Sequence, residues 1–157
     1  MLDRLKSLLT MGGASGQDPG NARQLQLAVA ALLVEAALMD GHMDEAESDR
    51  IRTLLCQRFD LDEEDAARLL AQARQANAAA SQLLPFTRLV KDHFSAGQRV
   101  ELMEMLWEVV YTDGRLHDYE SNLIRRIGGL LFVPDQETGA ARKRAMARLG
   151  VSEDPLA

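Results

Sequence analysis

The sequence predicts an all-α fold built around two pseudo-symmetric helix–turn–helix units, and three observations predict it. Ala, Leu and Arg are abundant while aromatic residues make up only 4% of the chain, which favours helix, because strand formers are β-branched or aromatic. Apolar residues recur at helical spacing along most of the chain, and no alternating strand pattern competes with them. The frame E-x4-DG-x5-ES-x2-IR occurs twice, 73 residues apart. It superposes Glu35 on Glu108, Asp40 on Asp113, Gly41 on Gly114, Glu47 on Glu120, Ser48 on Ser121, Ile51 on Ile124 and Arg52 on Arg125. Two related units that cannot bury their apolar faces alone are expected to pack on each other.

The elements follow in order. Residues 2–9 read as a short amphipathic helix with Leu2, Leu5, Leu8 and Leu9 on one side, and "TMGGASGQDPGN" reads as a flexible linker, so residues 1–21 precede the folded part. A helix over 22–39 is apolar nearly all round through "LQLAVAALLVEAALM", the mark of a helix in the middle of a bundle. The next helix spans about 44–58, and the acids from Asp62 onward suit the N-terminus of the one after it. "SQLLPFTRLVKDHF" gives another, with Pro85 in its first turn. "SAGQ" at 95–98 has the form of a capping box and opens a helix through "VELMEMLWEVVYT". A helix over about 118–131 follows the second Asp-Gly, Pro134 breaks the chain, and a last helix over about 136–149 closes at Gly150. One domain is expected over 22–150, with 151–157 as a tail.

Composition narrows the function. At 157 residues, with 46% hydrophobic and 27% charged, the chain has room for one hydrophobic core. A net charge of −6 repels a phosphate backbone, which argues against nucleic acid as a partner. The basic cluster of Arg142, Lys143, Arg144 and Arg148 reads as a solvated helix face. Cys56 has no second cysteine to pair with and reads as a buried structural thiol in a reducing compartment. No secretory signal is visible, and the best apolar run, Leu27–Val34, is far short of the roughly 18–20 residues that span a bilayer. A cytoplasmic protein is expected, with at most peripheral membrane contact through the N-terminal helix.

The repeated motif has two readings. As punctuation, Gly41 supplies the positive φ that ends a helix, Asp44 caps the next one, Glu47 completes an Asp-led capping box, and Met43 and Leu116 pin the turns to the core. As a cation site, the spacing matches the second half of a calcium-binding EF-hand loop. With Gly41 at loop position 6, Asp40, Asp44 and Glu47 fall at 5, 9 and 12, and Asp113, His117 and Glu120 take the same places in the second unit. Loop positions 1 and 3 fall on Ala36 and Leu38, and on Val109 and Tyr111, so neither loop alone has the oxygen ligands of an ordinary EF-hand. The ligand set Asp40, Asp44, Glu47, Asp113, His117 and Glu120 suits a weak or shared divalent site, for calcium or, given His117 and nearby His42, for manganese or zinc. Glu35 and Glu108 interrupt apolar helices, and Arg52 and Arg125 are their expected salt-bridge partners, the alternative being that both glutamates contribute to a ligand site.

Taken together, "EAALMDGHMDEAESDRI" and "EVVYTDGRLHDYESNLIRRI" make residues 22–150 resemble the tellurite-resistance TerB-like proteins. The resemblance implies a compact bundle of about seven helices, a bacterial origin, a link to tellurite or other stress resistance, a metal at the acidic turns and no established catalysis. It also implies relatives in membrane-associated and co-chaperone complexes. The family's acidic turn falls on Asp40, Asp44 and Glu47 and on Asp113 and Glu120, while His117 departs from the acid at Asp44. His42, His93 and His117 form no metalloenzyme frame, and no phosphate-binding glycine loop is present, so no catalytic residues are expected. The expectation is a non-enzymatic module that binds a divalent cation and couples it to a protein partner. The alternative is a purely structural interaction adaptor, with no metal.

Overall fold

The structure is a computed structural model that describes residues 19–39, 41, 43–79, 83–112 and 118–150. The expected N-terminal helix, linker and C-terminal tail lie outside the described residues. Among the described residues there are seven helices: α1 (Pro19–Ala37), α2 (Glu45–Phe59), α3 (Glu63–Ala79), α4 (Leu84–His93), α5 (Ala96–Val110), α6 (Asp118–Leu130) and α7 (Asp135–Leu149). No strand occurs among the described residues.

Two helices carry the core. From Leu25 onward α1 is buried at almost every position, with Val29, Leu32 and Leu33 fully enclosed. The second is α5, in which Leu102, Met103, Met105 and Leu106 are fully enclosed. A helix that is apolar all round gains about 1.5–3 kcal/mol for each large side chain enclosed, which is realised only when neighbours cover every side. Accordingly α1 packs against α2, α3, α4, α5 and α6, and α5 packs against α1, α2, α6 and α7. The α1–α3 and α5–α7 interfaces are the most extensive.

Local chemistry sets the boundaries. Asp44 caps α2, Asp62 Oδ1 accepts from the Asp65 N–H at the start of α3, and Ser95 with Gln98 forms the expected capping box of α5. Pro85 sits in the first turn of α4, and Gly150, at φ +70, ends α7. Helix α1 begins at Pro19, inside the segment read as linker, since a proline's missing N–H costs nothing in a first turn.

Helix α6 ends in a Schellman motif: the Phe132 N–H reaches Gly129 O and the Val133 N–H reaches Gly128 O. Phe132 holds the left-handed position of that motif at φ +56 and is 72% exposed. Glycine usually fills that position, and a bulky side chain there costs about 1–2 kcal/mol. Asp60 ends α2 with the same φ of 56, but a short polar side chain tolerates it better.

Gly128 and Gly129 are adjacent in α6 and have opposite surroundings. A Cβ on Gly128 would lie 3.2 Å from Thr138 Oγ1 and 3.3 Å from Met103 Cε, whereas one on Gly129 would meet nothing within 4 Å. Gly128 therefore sets how closely α5, α6 and α7 approach. Gly128→Val is expected to destabilise the fold by about 1–3 kcal/mol through overpacking. Gly129→Ala is expected to be neutral or to stabilise by up to about 1 kcal/mol. Urea unfolding of both variants checks the contrast.

Candidate functional site

The first acidic turn is built as the punctuation reading expects. Gly41 takes φ +99 and its N–H reaches Leu38 O at 2.9 Å. Asp44 is the N-cap of α2: its Oδ1 accepts the Glu47 N–H at 2.7 Å, and Glu47 Oε1 accepts the Asp44 N–H at 3.2 Å. Asp44 is exposed, Glu47 is buried, and half-buried Met43 packs against the core. Of the remaining expected ligands, Asp40, Asp113 and His117 lie outside the described residues, as does His42. Glu120 lies in the first turn of α6, and its side chain lies outside the described residues.

The two buried-helix glutamates are not held by the arginines expected of them. Glu35 accepts the Asn77 Nδ2–H of α3 at 2.6 Å. Arg52 turns instead to Asp49, one turn back on its own helix, and lies 3.9 Å from Glu63 at the start of α3. Arg125 is exposed on α6. Glu108 Oε1 pairs with Arg148 Nε of α7 at 2.6 Å. In both units the partner comes from the helix that covers the central one, α3 over α1 and α7 over α5. Sequence spacing alone does not report that face.

Around Glu108 lies the main charged cluster of the interior. Glu101, Glu104 and Glu108 recur at i, i+3 and i+7 on α5, so they share one stripe of a helix otherwise apolar, and each is at most 8% exposed. Glu104 is gripped from α7 by Arg144 Nε and Arg148 Nη2, each at 2.5 Å. Buried Arg58 joins from α2, and its Nε has no hydrogen-bond partner among the described residues. Arg142 Nε donates to the Tyr111 hydroxyl at 2.7 Å, and its guanidinium lies 5.9 Å from the Trp107 and Tyr111 ring centroids. The basic cluster of α7 thus clamps α5 through Arg142, Arg144 and Arg148, although Lys143, Arg144 and Arg148 are exposed as a solvated face would have them. The sequence does carry a signal for it. Acids at helical spacing on an apolar helix need cations, and Arg144 and Arg148 stand one turn apart.

Burial pushes the Glu108 carboxyl above the ordinary glutamate range, against the opposing pull of Arg148, Arg58 and Arg50. Burial likewise lowers Arg58 from its usual value, while Glu108 acts to hold it up. Cys56, half-buried rather than fully buried, places its Sγ 3.7 Å from Asp62 O, and burial followed by Glu63 and Asp62 raises its thiol pKa. A raised pKa leaves little thiolate, as befits a structural thiol.

The sequence model of the family described as tellurite resistance protein TerB matches residues 26–143, from α1 into α7, with both acidic turns inside the match. The chain belongs to the TerB family. No curated protein and no solved structure matches it. The matched span of this TerB chain holds Glu101, Glu104 and Glu108 and stops one residue before Arg144. No helix among the described residues is long and apolar enough to cross a membrane.

The acidic turn of this TerB protein fits a hard cation in donor chemistry. Asp44 and Glu47 offer carboxylate oxygens of the kind calcium, magnesium and manganese take. The capping box engages Asp44 Oδ1 and Glu47 Oε1, and the second oxygen of Asp44 lies outside it. Among the described residues no group of three or more His, Cys, Asp or Glu side chains is placed to hold a metal.

Two outcomes test the α5–α7 clamp. Because the folded-state pKa of Glu108 is raised above its unfolded value of 4.5, the native state takes up the proton first as pH falls. Its contribution is present in full below the unfolded pKa and is lost as pH rises through the folded one. Wild type should therefore gain stability relative to Glu108→Gln as pH is lowered from 7 toward 5, measured as paired urea unfolding curves. Arg148→Ala strips the partner from a buried carboxylate while removing a side chain that is 44% exposed, so the loss should be up to about 3 kcal/mol, below the full range for a fully buried pair.

Proposed function

We propose that this TerB-family chain is a non-catalytic module of the tellurite and stress response, in which the acidic Asp-Gly turns bind a divalent cation and couple it to a protein partner. The observation that carries the reading is the first turn. Gly41 is held at positive φ and buried Glu47 reaches back over the N-terminus of α2, in a register that recurs 73 residues on. Asp40, Asp44 and Glu47 would supply oxygen ligands from the first unit, and Asp113, His117 and Glu120 would supply the second. The ion would contribute charge neutralisation at two helix junctions. Binding there would stabilise the native packing of α1 on α2 and of α5 on α6, and with it the surface a partner reads.

The non-catalytic part of the proposal is supported by how the buried polar groups are used. Glu104 and Glu108 are held by arginines, the Trp107 Nε1–H donates to Thr138 O, and the Tyr111 hydroxyl accepts from Arg142. These contacts join helices to one another, a structural use. The capping box itself favours a second reading, an interaction adaptor without metal, because Asp44 and Glu47 already satisfy each other's backbone N–H groups.

Thermal unfolding of chelator-treated protein against calcium, magnesium, manganese and zinc separates the two. A saturable rise in midpoint for one ion, absent in Glu47→Gln and Glu120→Gln, is expected if the turns bind metal. An unchanged midpoint at millimolar ion, with Glu47→Gln costing about 0.5–2 kcal/mol regardless of ion, sinks the metal reading and leaves the adaptor.

A further inference from the structure

The connection from α6 to α7 is short, residues 131–134, and it is the one place where a bulky side chain holds a left-handed backbone among the described residues. Phe132 gains little there. Its ring is largely in solvent, with the Lys91 ammonium 5.0 Å from its centroid. Two residues on, Pro134 disfavours helical backbone at Val133 and blocks a continuous helix from α6 into α7. Opening this connection would therefore give an extended hinge, and the strain at Phe132 would be released.

Helix α7 is attached in a manner that suits exchange. It buries small side chains, Ala141 and Ala145, with Thr138 and Met146, and its register on α5 is fixed by directed contacts. Arg144 and Arg148 grip Glu104 and Glu108, Arg142 meets Tyr111, and Thr138 O accepts from Trp107. These contacts lie between α7 and the body of the molecule, so α7 of another copy would satisfy each of them equally well. The closed and exchanged forms then differ chiefly at the hinge, where the closed form holds Phe132 left-handed but also buries Leu131 and Val133 and engages Leu131 O with Arg99 Nη1, contacts the exchanged form must remake. Strained short hinges of this kind favour exchange.

We propose that α7 is exchanged between two copies of this chain, the face of α5 bearing Glu104, Trp107, Glu108 and Tyr111 receiving α7 of a second copy, with residues 131–134 as the hinge. The partner that fits this surface is the chain itself.

Light scattering coupled to size exclusion, on full-length protein refolded from urea over a range of concentrations, tests the proposal. Wild type and Phe132→Ala, which loses the ring but keeps a strained Cβ, should form dimer increasingly with refolding concentration. Phe132→Gly removes the strain at both hinges, about ten-fold each, and should lower the dimer-to-monomer equilibrium constant about a hundred-fold. A covalent trap shows which helix crosses. In a Cys56→Ser background, Gly128→Cys with Thr138→Cys joins α6 to α7, because a Cβ at 128 lies 3.2 Å from the Thr138 Oγ1 position. Oxidised dimer fractions should run as covalent dimers on a non-reducing gel, and monomer fractions as monomers. Protein that stays monomeric at every concentration overturns the proposal, as does a dimer unaffected by Phe132→Gly or one whose trapped bonds are all within single chains.

Discussion

Burying a row of ionisable carboxylates on α5 is the constraint on which the other arrangements depend. A helix with twelve of its fifteen residues buried must be covered on all sides, and Glu101, Glu104 and Glu108 lie on one of those sides. Removing carboxylates from water costs several kcal/mol each unless cations and hydrogen bonds replace the solvent. The requirement fixes which face of α7 turns inward, brings Arg58 of α2 into the same cluster, and leaves Glu108 with a raised pKa because the replacement is incomplete. The α5–α7 interface therefore owes its register to charge and its closeness to small residues, Gly128 on α6 and Ala141 and Ala145 on α7.

The opposite half of the bundle solves a milder form of the same problem. Glu35 is only half-buried, and a neutral amide, Asn77 of α3, is sufficient for it. Two related sequence units thus place a glutamate at the same point of a central helix and partner it differently, by an amide in one and a guanidinium in the other. The helix that covers each one is also the helix that partners its glutamate. That relation connects the repeat to packing, since the repeated Glu is a fixture of the central helices whatever the neighbouring turn binds.

For a family named for tellurite resistance, the location of chemistry within the fold matters. The acids of the first turn sit at the N-terminus of α2, where the helix dipole favours negative charge, and the turn is rigidly capped. A cation there would act on the junction between a central helix and its cover. The buried cluster lies instead between covers and core, where its role is to hold helices in place. The two acidic features of the molecule are therefore different in kind. One is a turn whose acids cap a helix, the other a set of buried carboxylates with its own counter-ions.

The sequence by itself determined the all-α class, the order of the seven helices, the two central apolar helices and most of the punctuation: the Asp44–Glu47 and Ser95–Gln98 boxes, Pro85 in a first turn and Gly150 at a last one. These are local matters, decided by spacing within a few residues and by which backbone angles a residue accepts. Of the acidic turns, only the capping role of Asp44 and Glu47 could be read and then located. Only the tertiary structure decided that Glu108 belongs to Arg148 rather than Arg125, that Glu35 belongs to Asn77 rather than Arg52, and that the arginines of α7 are a clamp. The physical reason is that ion pairing depends on which helix covers which face. That choice is made by summed packing across residues far apart in the chain, and a periodicity of 3.6 says which side of a helix is buried but not against what.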